Sequence, residues 1–165
     1  MPQEFNMQEA LRLAIETEKA VMFFYMQAAD ISKDDRASRV FATLAREERE
    51  HAGHFFKLYS GSDLGDFDEY MSSKPDYESV MLHHLKKALS ADLNERKAME
   101  IALKEEEDLA RNLALTAEKI VDPGVRAVFD RMTKETENHF AVIESEYARL
   151  MGMVHETDID TYVRE

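Results

Sequence analysis

The sequence predicts an all-α protein: an antiparallel four-helix bundle made of two repeated helical hairpins joined by a long crossover. Three observations carry this expectation. Composition favours helix, with only five Gly and three Pro in 165 residues. Four long stretches place apolar residues at helical spacing between recognisable start and stop signals. The third is internal: shifted by 88 residues, the two halves of the chain align without a gap. Asn6 meets Asn94, Ala10 meets Ala98, Ala14 meets Ala102 and Glu18 meets Glu106. Further on, Val40 and Phe41 meet Val128 and Phe129, Glu47 meets Glu135, His51 meets His139 and Tyr59 meets Tyr147. Chance supplies only a few such identities, so a duplicated hairpin is expected.

The first helix begins at Asn6, a good N-cap, and runs to about Ile31, with an inward stripe of Met7, Leu11, Ala14, Glu18, Val21, Tyr25 and Ala28. A polar turn, "SKDD", leads into the second helix, about Asp35 to Tyr59, which stops at the Gly61 and Gly65 region. The third helix spans about Asp92 to Val121. "DPG", Asp122 to Gly124, turns sharply into the fourth, which ends near Gly152. Hairpin one is thus expected over about 6–60, the crossover over 61–91, hairpin two over 92–152 and a tail over 153–165, all in a single domain. Within the crossover, "YESVMLHHLKKAL" reads as a connecting helix. Short turns within hairpins and one long crossover between them define the ferritin-like arrangement of a four-helix bundle.

The inward faces carry ionisable residues where apolar ones belong. Glu48 lies seven residues from both Phe41 and Phe55, and His51 seven from both Leu44 and Leu58. Seven residues is two helical turns, so each triplet lies nearly on one line. Burying such a carboxylate costs several kcal/mol, very roughly, unless a counter-charge or metal meets it. Glu48-x-x-His51 offers a carboxylate and an imidazole one turn apart, spaced to hold one metal ion. Glu18 sits between Leu11 and Tyr25 at the same spacing, Glu106 between Met99 and Leu113, and His139 seven residues after Met132, with Glu146 on its other side. Inward carboxylates therefore come from three helices and imidazoles from two. Ferritin-like di-iron proteins use this pattern, with one Glu from each of two helices and Glu-x-x-His from the other two.

These motifs, "AIETEKAVMFFY", "REEREH" and "ALKEEEDLARNL", resemble the rubrerythrin-like branch of the ferritin-like superfamily, in the forms that lack a rubredoxin domain. The resemblance covers about residues 6–152. It implies a dinuclear iron site reacting with peroxide or dioxygen, commonly in a homodimer. By position, Glu18 and Glu106 would be terminal ligands, Glu48 a bridging ligand, and His51 and His139 imidazole ligands, with Tyr25 a hydroxyl just outside the ligand shell. Two positions depart from the family. The second hairpin reads "KETENH", so Thr136 stands where a bridging glutamate belongs, although Phe129 and Ile143 flank it at inward spacing. Leu109, three residues after Glu106, replaces the additional glutamate of typical rubrerythrins. Three carboxylates against two divalent cations leave positive charge that hydroxide, water or another carboxylate must offset. Glu135 is the candidate substitute, four residues before His139 and about forty degrees around the helix from it.

The totals narrow the function further. A net charge of −13 argues against nucleic acid or an anionic membrane as partner. With no cysteine there is no disulfide, Cys-ligated zinc, iron–sulfur cluster or rubredoxin-type module in this chain. That suits the cytoplasm. The N-terminus shows no signal-peptide pattern, and the longest apolar run, around Ala20 to Phe24, is too short to span a bilayer. Electrons for turnover would have to come from an external donor. Met7, Met22, Met26, Met99 and Met132 read as gap-filling core residues. His54, His83, His84 and His155 read as surface or loop residues, Glu47 as solvent-facing, and "KEEED" as an exposed acidic face with Glu106 its inward exception. Two other readings stand beside the oxidoreductase: an iron- or zinc-holding bundle without catalysis, with two ions or one, and a structural bundle whose polar core is satisfied internally.

Overall fold

A computed structural model describes residues 5–76 and 93–152. All of its elements are helices: α1 Met7–Ile31, α2 Asp35–Leu58, α3 Phe67–Ser72, α4 Glu95–Lys119 and α5 Pro123–Leu150. The connecting helix expected over 77–89, with His83 and His84, and the tail with His155 lie outside the described residues.

The ends of the long helices are set by their caps, and the caps repeat with the hairpins. Asn6 and Asn94 open α1 and α4, their side chains accepting from the backbone N–H of Glu9 and Lys97. Asp34 and Asp122 open α2 and α5 in the same way, accepting from Ala37 and from Gly124 and Val125. Each side chain satisfies donors that a helix N-terminus otherwise leaves unpaired, a contribution of about 1 kcal/mol per cap. Pro123 fits the first turn of α5, where no N–H is needed, and Gly152 (φ 62°) follows its last residues in the left-handed region.

Helices α1 and α2 pack along their lengths, as do α4 and α5; the two hairpins meet mainly through α2 against α5 and α1 against α4. The result is the ferritin-like antiparallel bundle, with the site between the hairpins. Its core includes Leu11, Ile15, Phe24, Phe41, Phe55, Leu109, Leu113, Phe129 and Ile143, all essentially without solvent contact. Each large side chain so buried contributes about 1.5–3 kcal/mol. Phe55 and Phe129 close one end of the interior with ring centroids 4.8 Å apart, and Phe41 stacks on Tyr25 at 6.0 Å.

The structure corrects several expectations. Met26 is 47 % exposed rather than core, because it falls on the outer edge of the α1 stripe; Met22, Met99 and Met132 are buried. Glu105 is buried beside Glu106, so the acidic face of α4 has two inward members. Its repeat partner Thr17 is buried too, and the covered arc of each helix is wider than one heptad stripe. The crossover contains α3, which was not anticipated; its signal was Asp66, whose side chain caps the N–H of Glu69. Lys19 is drawn inward toward this segment, bonding Ser73 Oγ at 2.7 Å with its ammonium 4.0 Å from the Tyr70 ring centroid.

Candidate metal centre

Four helices each turn a short polar segment toward one interior point. Glu18 comes from α1, Glu48 and His51 from α2, Glu106 from α4, and Thr136 and His139 from α5. All six are buried; Glu18, Glu48, Glu106 and Thr136 have no solvent exposure. The i,i+3 spacing within α2 and α5 stacks each pair on one face.

Glu48 stands between the two imidazoles. Its Oε1 is 2.8 Å from His139 Nδ1, and its Oε2 is 3.6 Å from His51 Nδ1. A second carboxylate flanks each ring: Glu18 Oε2 lies 3.6 Å from His51 Nδ1, and Glu106 Oε1 lies 3.7 Å from His139 Nδ1. The rings stack with centroids 5.1 Å apart and planes 10° off parallel. One donor atom each from Glu48, His51 and His139 fit within 4.8 Å of one another. The interior thus divides into two halves, Glu18 with His51 and Glu106 with His139, sharing Glu48. Tyr25 donates its hydroxyl to Glu106 Oε1.

The other ring nitrogens face outward, each toward the opposite hairpin. His139 Nε2 is 3.6 Å from Glu47 Oε2, and His51 Nε2 is 3.9 Å from Glu135 Oε1. Glu47 and Glu135 are repeat partners, so the arrangement is crossed and pseudo-symmetric. With both Nδ1 atoms aimed inward, a carboxylate beside each Nε2–H would hold the ring in the tautomer that leaves Nδ1 free to bind. Sequence alone placed Glu47 in solvent. It is partly exposed, yet its carboxylate reaches a histidine that no spacing on its own helix could reveal. Glu135 also pairs with Arg131 at 3.2 Å. Glu146, seven residues after His139, is buried but satisfied by Arg149 at 2.6 Å and Arg36 at 3.3 Å.

Electrostatically the cluster is held together by protons. Burial, reinforced by the negative charge of Glu48, keeps the Glu18 carboxyl protonated well above the usual range. Glu106 rises to about 7 for the same two reasons. Burial opposes ionisation of Glu48 as well, but contacts with Glu18, His139 and His51 overcome it and hold Glu48 well below its ordinary value. Burial would also discharge the imidazoles; instead the carboxylates raise His51 to about 11 and His139 to about 10. Even so, both oxygens of Glu18, Oε2 of Glu48, Nδ1 of His51 and Oε2 of Glu106 are buried without a hydrogen-bond partner. Each orphaned buried group of this kind costs about 1–3 kcal/mol or more. Divalent cations bound by those atoms would remove the cost, and a set of three carboxylates and two imidazoles suits first-row metals. The residues fit such ions.

Two clefts adjoin the site. One of about 590 Å³ between α2 and α5, lined by Arg36, Arg39, Val40, Glu47 and Asn138, reaches His139. Another of about 300 Å³ between α4 and α5 is bordered by Glu106, Glu107, Glu137 and Phe140, the Glu106 side chain itself being sealed from solvent.

Comparison with known proteins agrees with this reading of the fold. No curated protein matches the chain. Among solved structures, a protein from Thermotoga maritima described as ferritin-like and diiron-carboxylate aligns over 89 % of this chain and 97 % of its own, with a TM-score of 0.65 and 20 % identity. At that identity the likeness speaks for the fold. Residues 9–147, nearly all of both hairpins, match the Rubrerythrin family model. The chain belongs to the rubrerythrin family of ferritin-like proteins, and its 165 residues contain no cysteine.

Proposed function

We propose that this protein holds two iron ions between its hairpins and acts as an oxidoreductase on peroxide or dioxygen, drawing electrons from an external donor. One observation carries the reading: carboxylates and imidazoles from four helices converge, fully buried, on a point where five of their polar atoms lack partners. Glu18 and His51 would hold one ion, Glu106 and His139 the other, and Glu48 both, since its two oxygens already face opposite halves. When bound, iron supplies the two electrons that cleavage of an O–O bond requires.

The chain's own groups do the rest. Glu47 and Glu135 orient the imidazoles through Nε2. Phe41, Phe55 and Phe129 keep bulk water from the interior. Tyr25 fixes Glu106 and holds a proton close to the substrate position, its hydroxyl kept protonated far above the usual range by burial and by the Glu106 charge. The cleft beside Arg36 and Arg39 gives a small substrate a path toward His139. The cysteine-free composition supports a reducing cytoplasmic setting and an electron donor outside the chain. A homodimer is the assembly this family reading favours.

Anaerobic loading with ferrous iron followed by stoichiometric peroxide tests the proposal. Oxidation of the bound iron should outpace that of free ferrous iron, with about two irons per chain by elemental analysis. Oxidation no faster than in buffer would leave the second reading, metal holding without turnover. Thr136, in place of a second bridging carboxylate, is the observation that favours that alternative.

A further inference from the structure

We propose that the position mirroring Glu48 in the second hairpin is a binding site for a small exogenous monocarboxylate, with the Thr136 hydroxyl as its donor. The inference rests on the two-metal reading above and names a ligand for that centre. Thr136 is the repeat partner of Glu48 and lies one turn before His139, as Glu48 lies one turn before His51. It has no solvent exposure, and its Oγ1 has no hydrogen-bond partner among the described residues.

That orphaned hydroxyl is unlike its neighbours. Thr17, Thr116 and Thr133 all donate to the carbonyl four residues earlier in their helices, to Leu13, Asn112 and Phe129 at 2.7–2.8 Å. Such back-bonding is the ordinary resting place of a helical threonine hydroxyl. At Thr136 the bond is not made, so the hydroxyl remains available to an acceptor in the interior. A buried unpaired hydroxyl is costly, and an anion there would satisfy it.

Size and charge select the ligand. Relative to glutamate, threonine keeps a two-carbon stub and gains a hydroxyl; what it lacks is the carboxylate itself. Formate restores that group at the same place. Glu18, Glu48 and Glu106 carry three negative charges against four on two divalent cations, so one monoanion makes the centre neutral. A carboxylate has two oxygens to divide between the cations and the Thr136 hydroxyl, whereas a hydroxide would have to serve all of them through one.

The test uses the full chain loaded anaerobically with cobalt(II), whose visible bands report ligand changes, titrated with sodium formate at constant ionic strength. The wild type should bind about one formate per two cobalt ions with saturable spectral change. Thr136→Ser should keep this response, Thr136→Val should weaken it about tenfold or more through loss of the hydrogen bond to a charged acceptor, and Thr136→Glu should bind two cobalt ions and ignore formate. Two bound cobalt ions with no response to formate, or a Thr136→Val titration identical to wild type, would overturn the inference and leave the two-metal reading standing. Fewer than two cobalt ions in the wild type would overturn both.

Discussion

Glu48 and His139 are 91 residues apart in sequence and 2.8 Å apart in space, and this contact stitches the two hairpins together at the centre of the bundle. The same carboxylate turns its other oxygen toward His51. Both halves of the candidate centre therefore depend on one side chain.

Replacing Glu48 should cost more metal than replacing any terminal carboxylate. Glu48→Gln, which preserves shape, is expected to retain less than half the wild-type metal by elemental analysis. In the wild type, metal at about 1,000 times its Kd adds about 4 kcal/mol. For a chain of this size that is a rise in Tm of roughly 8–16 °C, reversed by chelation. Glu48→Gln should lose most of that rise. A Tm unmoved by chelator in the wild type would favour a core satisfied internally.

Stability without metal should fall as pH rises. His51 and His139, raised to about 11 and about 10 in the folded chain, contribute stability that is full below their unfolded value near 6.5 and lost toward pH 10–11. Glu106, raised to about 7, and Glu18, also raised, act in the same direction from about pH 4.5 upward. Glu48, held low, acts oppositely, and its share is lost only in acid. Metal binding must displace the imidazole protons, so affinity should rise with pH. Calorimetric titration at pH 8 in buffers of different ionisation enthalpy should show release of about two protons or more per loaded centre.

Tyr25→Phe should loosen the Glu106 half selectively. The hydroxyl favours the ionised form of Glu106, and without it the carboxyl holds its proton to higher pH. Affinity for one ion should drop about tenfold near neutrality while the other is largely unchanged. A two-site isotherm separates the two.

Glu47→Gln and Glu135→Gln distinguish orientation from ligation. If these carboxylates act through the Nε2 atoms they face, each variant should keep full metal stoichiometry with affinity reduced about 10–100-fold. Loss of one whole ion on Glu135→Gln would instead make Glu135 a ligand.

Phe129→Ala should destabilise the chain by about 3–5 kcal/mol in urea unfolding, with metal present or absent. Phe129 has no solvent exposure and packs on Phe55 beside the centre.

The long helices were legible because their determinants are local. Caps at Asn6, Asp34, Asn94 and Asp122, heptad stripes and the helix-stopping turns act within a few residues, and the duplication doubled the signal. Short α3 escaped because six residues carry too little periodicity to read. Met26 and Glu105 were misplaced because a heptad line says which residue lies at the middle of a face, but not how far around the helix a neighbour covers it.

By itself, the sequence determined the all-helical bundle, its repeated hairpins and the inward setting of Glu18, Glu48, His51, Glu106 and His139, since helical period alone orients a side chain relative to its own helix. Only the tertiary structure decided which atoms meet: the split of Glu48 between two imidazoles, the crossed reach of Glu47 and Glu135 to the opposite hairpin, and the unpaired hydroxyl of Thr136. Those depend on the rotation and height of one hairpin against the other. That geometry is set by packing of whole faces, and no spacing along a single helix encodes it.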